Sequence, residues 1–164
     1  MAKARQPRLI WIVRMRLAVF QPDIPQNLGA AMRLAACMGI KLDIIEPCGF
    51  PLSDRAIHRA AMDYAQAADI RRHDSWSAFM ANRGPGRLLL LTTRASAPYA
   101  SFRFAPDDTL LLGRESAGVP EEVHAAADER LLVPMAPGAR SLNVVVSAAM
   151  VLGEALRQLD AFPG

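Results

Sequence analysis

The chain has 164 residues, 52% hydrophobic and 21% charged, with two cysteines and a formal charge of +3. Length and apolar content provide one domain with a substantial core, and exclude a disordered chain or a disulfide-stapled scaffold. Five basic residues, Lys3, Arg5, Arg8, Arg14 and Arg16, precede residue 17; without them 14 basic residues face 16 acidic ones, so any nucleic-acid contact must rest on a local patch.

In chain order, the apolar run Leu9 to Val13 is too short for a secretory leader, whose core needs roughly 7–15 residues. Residues 1–14 are therefore expected to be a disordered basic extension, residues 15–164 a single domain, and the protein cytoplasmic. Short, non-alternating apolar runs predict strands at Leu17–Phe20, Leu42–Ile45, Leu88–Leu91, Leu110–Leu112 and Leu131–Val133, as in a parallel sheet covered on both faces. Helical patterns lie between them at Leu28–Met38, Asp54–Tyr64, Ser75–Asn82, Pro120–Ala126 and Asn143–Leu159. Strand and helix alternate throughout, which predicts a three-layer α/β fold with a mostly parallel sheet. Cys37 and Cys48 form no redox or ligand motif, and His58, His73 and His124 have no metal-ligand spacing, so reduced thiols and no metal are expected.

Three loops follow predicted strands and carry the functional signal. In the first, Gln21-Pro22-Asp23-Ile24-Pro25-Gln26-Asn27, two prolines keep the chain extended and Asn27 is placed to cap a helix starting at Leu28. Gly29 and Arg33, four residues apart, then share one face of that helix. The second, Gly113-Arg114-Glu115-Ser116-Ala117-Gly118-Val119-Pro120, sits at a strand's carboxyl end, where open α/β sheets place ligands, and presents one carboxylate, Glu115. The third runs from Val133 through Pro134, Met135, Pro137, Gly138, Arg140 and Ser141 to Asn143. Its prolines cannot join a ladder, Gly138 permits positive φ, and Ser141 and Asn143 are good helix caps, so the loop offers main-chain groups and helix-start amides to a ligand. A plain turn or a solvated arginine accounts for each loop taken alone. No GxGxxG or GxxxxGK[ST] occurs, which disfavours dinucleotide or P-loop binding. The final helix is apolar nearly all round, and either a partner subunit or burial within the chain's own core would cover it.

Taken together, Asn27-Leu28-Gly29 with Arg33, Gly113 to Pro120, and Val133-Pro134-Met135 with Ser141-Leu142-Asn143 closely resemble the three signature motifs of the SPOUT-class RNA 2′-O-methyltransferases. The resemblance spans residues 15–160. Phe20 to Asn27, Ile45-Glu46-Pro47-Cys48-Gly49-Phe50 and Glu154 to Leu159 resemble the TrmL branch, which methylates the wobble ribose (position 34, cytidine or modified uridine) of certain leucine tRNAs. The resemblance implies a C-terminal deep trefoil knot, a homodimer through the knot region and last helix, and S-adenosylmethionine as methyl donor without a metal. By motif match the donor site includes Leu91, Gly113, Val133, Met135 and Ser141, with main-chain groups of Val133 and Met135 facing the adenine.

The implied catalytic set is Arg33, Asn27, Glu115 and Asn143. Arg33 stays protonated, so its expected task is to stabilise the emerging 2′-oxyanion or grip a phosphate, while Asn27, Glu115, Ser141 and Asn143 orient it and the ribose. Contacts to tRNA are expected from Arg33, Arg55, Arg59, Arg114 and Arg140, drawn from both subunits. This chain departs from the family at Ala30, often Asn, and at Gly153, commonly Tyr. Methylation of another tRNA or rRNA ribose, a catalytically silent RNA-binding relative and a small-molecule enzyme are the competing readings.

Overall fold

The computed structural model describes residues 13–61, 64 and 68–164. The expected 1–14 extension thus lies outside the described residues except for Val13, which packs on the core, and Arg14, whose N–H donates to Pro106 O at 2.9 Å.

Seven parallel strands form one sheet: β1 (Arg16–Phe20), β2 (Lys41–Ile45), β3 (Ile70–His73), β4 (Leu88–Leu91), β5 (Ala97–Pro98), β6 (Thr109–Leu112) and β7 (Glu129–Leu132), in the order β3-β2-β1-β6-β4-β7-β5. All strand pairings are parallel, so the expected "mostly parallel" sheet is wholly so among the described residues. Helices α1 (Pro25–Met38), α2 (Asp54–Ala61), α3 (Trp76–Asn82), α4 (Glu121–Ala126) and α5 (Val144–Gln158) complete three layers. Successive strand residues point to opposite faces. Leu17, Val19, Leu110 and Leu112 accordingly pack with Leu28, Met32, Val151 and Leu152 of α1 and α5, while Ala18, Phe20, Leu111, Leu88 and Leu90 pack with Phe79 of α3 and Val123 of α4.

Two strands escape the apolar-run criterion. β3 is an edge strand whose Arg71 and Arg72 are exposed, and β5 is two residues long and carries Pro98 at the opposite edge, where a missing donor costs nothing. Helix α1 begins at Pro25, not Leu28: proline at the first helical position needs no N–H partner, and Ile24 precedes it without a side-chain cap. Asn27 therefore lies in the first turn and does not cap the helix. At α5 the expectation holds for Asn143, whose Oδ1 accepts from Val145 N at 2.9 Å and Val146 N at 3.2 Å.

Strand register sets the site. Val19 pairs with Leu112, Leu91 with both Leu112 and Leu131, so the loops after β1, β4, β6 and β7 leave the sheet side by side at its carboxyl edge. That edge includes the place between β1 and β6 where strand order reverses, the usual ligand crevice of such sheets. Two buried carboxylates secure the sheet away from it. Asp43, fully buried, accepts from Arg16 at 2.6 and 2.7 Å and lies 2.7 Å from His73 Nε2. Asp108, also fully buried, accepts from Arg87 at 2.9 and 2.8 Å. Among the described residues no helix is long and apolar enough to cross a membrane.

Candidate active site at the carboxyl ends of the strands

The four loops enclose a cavity of about 430 Å³, within the roughly 300–1,000 Å³ of small-molecule sites. Its wall contains eight of the residues singled out in the sequence: Asn27, Leu91, Gly113, Glu115, Val133, Met135, Ser141 and Asn143. Val133 onward lies beyond the last paired residue of β7, so this stretch is free of the ladder, as its prolines predict. Gly138 has φ of +85°, the conformation anticipated for it. Ser141 borders the cavity while Asn143 alone caps α5.

Gly113 has a structural duty as well as a position in the wall. Arg114 and Gly118 exchange two backbone hydrogen bonds of 2.9 Å, folding the loop back on itself, and a Cβ on Gly113 would lie 3.0 Å from the Gly118 backbone. A side chain here would press on the returning strand of the turn, which must give by a few tenths of an ångström. The loop after β4, which the sequence reading missed apart from Leu91, adds Thr92 and Thr93 to the wall. Thr92 N–H donates to Leu131 O at 3.0 Å, and Thr92 Oγ1 accepts from Arg94 N at 3.1 Å; a threonine closing a polar turn was the available signal.

A polar chain joins the three motif loops. Asn143 Nδ2 donates to Asn27 Oδ1 at 2.9 Å across 116 residues of sequence, and Asn27 and Glu115 share the cavity wall. Glu115 meets Asp23, which the sequence reading left without a role. Asp23 N–H donates to Glu115 Oε2 at 3.0 Å, Glu115 N–H donates to Asp23 Oδ1 at 3.2 Å, and the Ser116 hydroxyl donates to Asp23 Oδ2. The Glu115 side chain, then the Ser116 hydroxyl, hold the Asp23 carboxyl down at about 2. Burial first, then the neighbouring Asp23 carboxylate, push Glu115 above the usual carboxylate range.

Arg33 is the exception. It lines a separate groove of about 1040 Å³ between α1 and α2, together with Gly29, Ala30, Phe50, Leu52 and Arg59. Its guanidinium carbon sits 5.0 Å above the Tyr64 ring. The helix explains the separation: Arg33 follows Asn27 by six residues, about 240° around and about 9 Å along α1. Gly29 and Arg33 do share a face, as their spacing predicts, but it is the groove face. Within one protomer the cavity thus lacks the expected Arg33.

Comparison with known proteins resolves the lineage. The model of the SpoU rRNA Methylase family matches residues 14–153, a span that contains all three motif loops. This chain belongs to that family. Within the SpoU family it is 59% identical to a tRNA (cytidine(34)-2′-O)-methyltransferase of Beijerinckia indica subsp. indica, over 88% of this chain and 92% of that protein. A structure solved for insights into the 2-OH methylation of C/U34 on tRNA superposes with a TM-score of 0.84 at 40% identity, covering 90% of this chain and 97% of the other. An AdoMet-bound rRNA methyltransferase from Sinorhizobium meliloti superposes at 0.78 with 26% identity, covering 89% of this chain and 57% of that one. The SPOUT resemblance and the α/β fold expected from the sequence are therefore those of the SpoU family.

Proposed function

We propose that this protein transfers a methyl group from S-adenosylmethionine to the ribose 2′-oxygen of the wobble nucleotide, position 34, of leucine tRNAs in the cytoplasm. The carrying observation is the meeting of three motif loops in one cavity at the sheet's carboxyl edge. The 59%-identical relative's name supports the choice of tRNA and of position 34.

The cavity suits the donor chemically. Leu91, Leu131, Val133 and Leu142 supply apolar surface for a purine, the main chain at Val133 and Met135 supplies hydrogen-bonding groups, and Thr92, Thr93 and Ser141 supply hydroxyls. Bound there, S-adenosylmethionine supplies an electrophilic methyl on a sulfonium, and no metal is required. The protein's task is to place the 2′-hydroxyl and favour the oxygen charge that develops as its proton leaves. Asn27 and Asn143, held by each other, present polar groups of fixed orientation at the cavity wall. RNA is distinguished from DNA by the 2′-hydroxyl itself.

The cavity mouth opens beside an apolar patch. Ile24 and Leu142, both in the wall, are each 41% exposed, and Val146 at 50% and Met150 at 41% continue the patch along α5. A two-fold homodimer through this patch covers the exposed residues of α5 and sets a second subunit against each cavity mouth. Arg33 of the partner subunit is then the cation that completes the site, stabilising the emerging oxyanion or gripping a flanking phosphate. Arg55, Arg59, Arg114 and Arg140 add contacts to the anticodon arm. The SpoU lineage further implies that the β7–α5 segment is threaded as a trefoil knot.

Isothermal titration with S-adenosylmethionine, followed by mass spectrometry of total tRNA from a strain lacking the gene, tests this reading. Donor binding together with loss of a single ribose methyl at nucleotide 34 is expected. Absence of donor binding would leave a catalytically silent RNA binder.

A further inference from the structure

The loop after β6 carries the formal charges of the cavity wall. Among the described residues that line the cavity, Arg114 and Glu115 are the ionisable ones, which makes Arg114 its single cation. Of the arginines expected at the RNA, Arg114 borders this cavity, whereas Arg33 and Arg59 border the groove between α1 and α2. The backbone fixes where the side chain starts, because Arg114 and Gly118 exchange two hydrogen bonds of 2.9 Å.

What holds the guanidinium leaves it unfilled. Nε is buried but makes no hydrogen bond, and Asp23 Oδ2 beside it is 3.8 Å away, close enough for charge attraction and too far for a bond. Asp23 is occupied by other donors. Asp23 and Glu115 clasp each other through their backbone N–H groups, so the Glu115 N–H takes Asp23 Oδ1 at 3.2 Å, and the Ser116 hydroxyl takes Oδ2. The Arg114 side chain is 35% exposed, and among the described residues no group accepts a hydrogen bond from it. A buried donor without an acceptor is uncommon in folded proteins and points to a ligand that supplies one. A guanidinium presents its N–H groups as a planar fork, the geometry that matches a carboxylate.

The polarity of the cavity is graded along the strand order. Leu91, Leu131 and Val133 supply apolar surface from β4 and β7, whereas the charges follow β6, on the far side of β4 from β7. At roughly 4.8 Å per strand, the loops after β6 and β7 leave the sheet about 10 Å apart. S-adenosylmethionine has a matching polarity: a flat purine at one end and, beyond the ribose and the sulfonium, an amino acid with a free carboxylate at the other. A purine against the β7 end leaves the amino-acid end for β6.

We propose that Arg114 is a donor-binding residue whose guanidinium grips the carboxylate at the methionine end of S-adenosylmethionine. This rests on the methyltransferase reading of the cavity and adds to it the residue that recognises the amino-acid end of the donor. The bonds formed are charge-assisted, and they leave Arg114 further N–H groups for the anticodon arm. Adenosine compounds that lack the carboxylate then compete poorly for the cavity.

Calorimetry on the full-length protein, without RNA, tests this. The probes are S-adenosylhomocysteine, which has the carboxylate and no reactive methyl, and its decarboxylated form, which lacks only that group. The wild-type protein is expected to bind S-adenosylhomocysteine at least about tenfold more tightly than the decarboxylated form, as a charge-assisted bond warrants. In Arg114→Ala that difference should shrink to within about twofold, through loss of affinity for S-adenosylhomocysteine alone. Arg114→Lys, which keeps the charge and loses the fork, should fall between the two. Should Arg114→Ala fail to fold, the wild-type protein and Arg114→Lys still decide. Equal wild-type affinities for the two probes, or an equal loss of both in Arg114→Ala, would overturn the proposal. So would unchanged probe affinities in Arg114→Ala with weakened tRNA binding, which would give the guanidinium to the RNA alone. A wild-type protein that binds neither probe would sink the methyltransferase reading instead.

Discussion

At the scale of single residues, the side chains proposed to hold the donor are distinct from the one proposed to act on the RNA. Gly113 belongs to the first group. A Cβ there lies 3.0 Å from the Gly118 backbone, so the branched side chain of Gly113→Val crowds the Arg114–Gly118 turn and the cavity wall beside it. Donor affinity measured by calorimetry should fall more than about tenfold. Arg33 belongs to the second group, since it lies outside the cavity in its own protomer. Arg33→Ala should keep donor affinity within about twofold while kcat for tRNA methylation drops by at least about 10²-fold, the magnitude of a lost oxyanion partner. Normal turnover in that variant would remove Arg33 from the mechanism. The Arg33 position was only half legible: its spacing from Gly29 gives the correct shared face, but which wall that face meets depends on where α1 begins. The start is set by Pro25, and the three-residue shift this gives Asn27 within the helix turns on a proline preference that competes with an asparagine cap.

At the scale of elements, the strands most legible in the sequence are those buried on both faces, because burial on both sides demands unbroken apolar runs. β1, β2, β4 and β6 satisfy that demand within one residue at each end, while β7 begins at the exposed Glu129, two residues ahead of its apolar run. β3 does not, since its outward Arg71 and Arg72 face solvent at the sheet edge. The clasp between Asp23 and Glu115 was invisible for a different reason: it joins residues 92 apart through backbone donors, which leave no mark on residue spacing. Asn143 was legible as a cap but not as the tie to Asn27. Replacing Asn143 by Ala removes both duties, and should cost about 1 kcal/mol of stability through the lost cap. The same variant should lower kcat more than the stability loss explains, read from single-turnover kinetics well below its melting temperature. At Gly153 the missing aromatic has a neighbour: a Cβ there would lie 4.0 Å from Cζ of Phe162, so the tail brings a ring to the helix face that lacks one.

At the scale of the whole molecule, the all-round apolar sequence of α5 divides into two uses. Val145, Ala148, Val151, Leu152, Ala155 and Leu156 are buried in the protomer, while Val146 and Met150 are exposed beside the cavity mouth. The dimer proposed through that patch makes a sharp complementation experiment possible. Gly113→Val and Arg33→Ala homodimers should each be inactive. Co-expressed, they should form mixed dimers in which one cavity has both its own Gly113 and an intact Arg33 from across the two-fold. Random pairing then restores about a quarter of wild-type activity. An arrangement in which Arg33 serves its own protomer's cavity restores none.

In the proposed reaction the cavity at the sheet's carboxyl edge delivers a methyl group to one ribose oxygen of tRNA. The most direct test is to incubate the purified protein with S-adenosylmethionine and leucine tRNA, then locate the added methyl by nuclease digestion and mass spectrometry, alongside the same tRNA bearing a 2′-deoxy sugar at position 34. A single 2′-O-methyl at nucleotide 34, absent from the deoxy substrate, is the predicted result. Methylation at any other nucleotide, or undiminished methylation of the deoxy substrate, would contradict it.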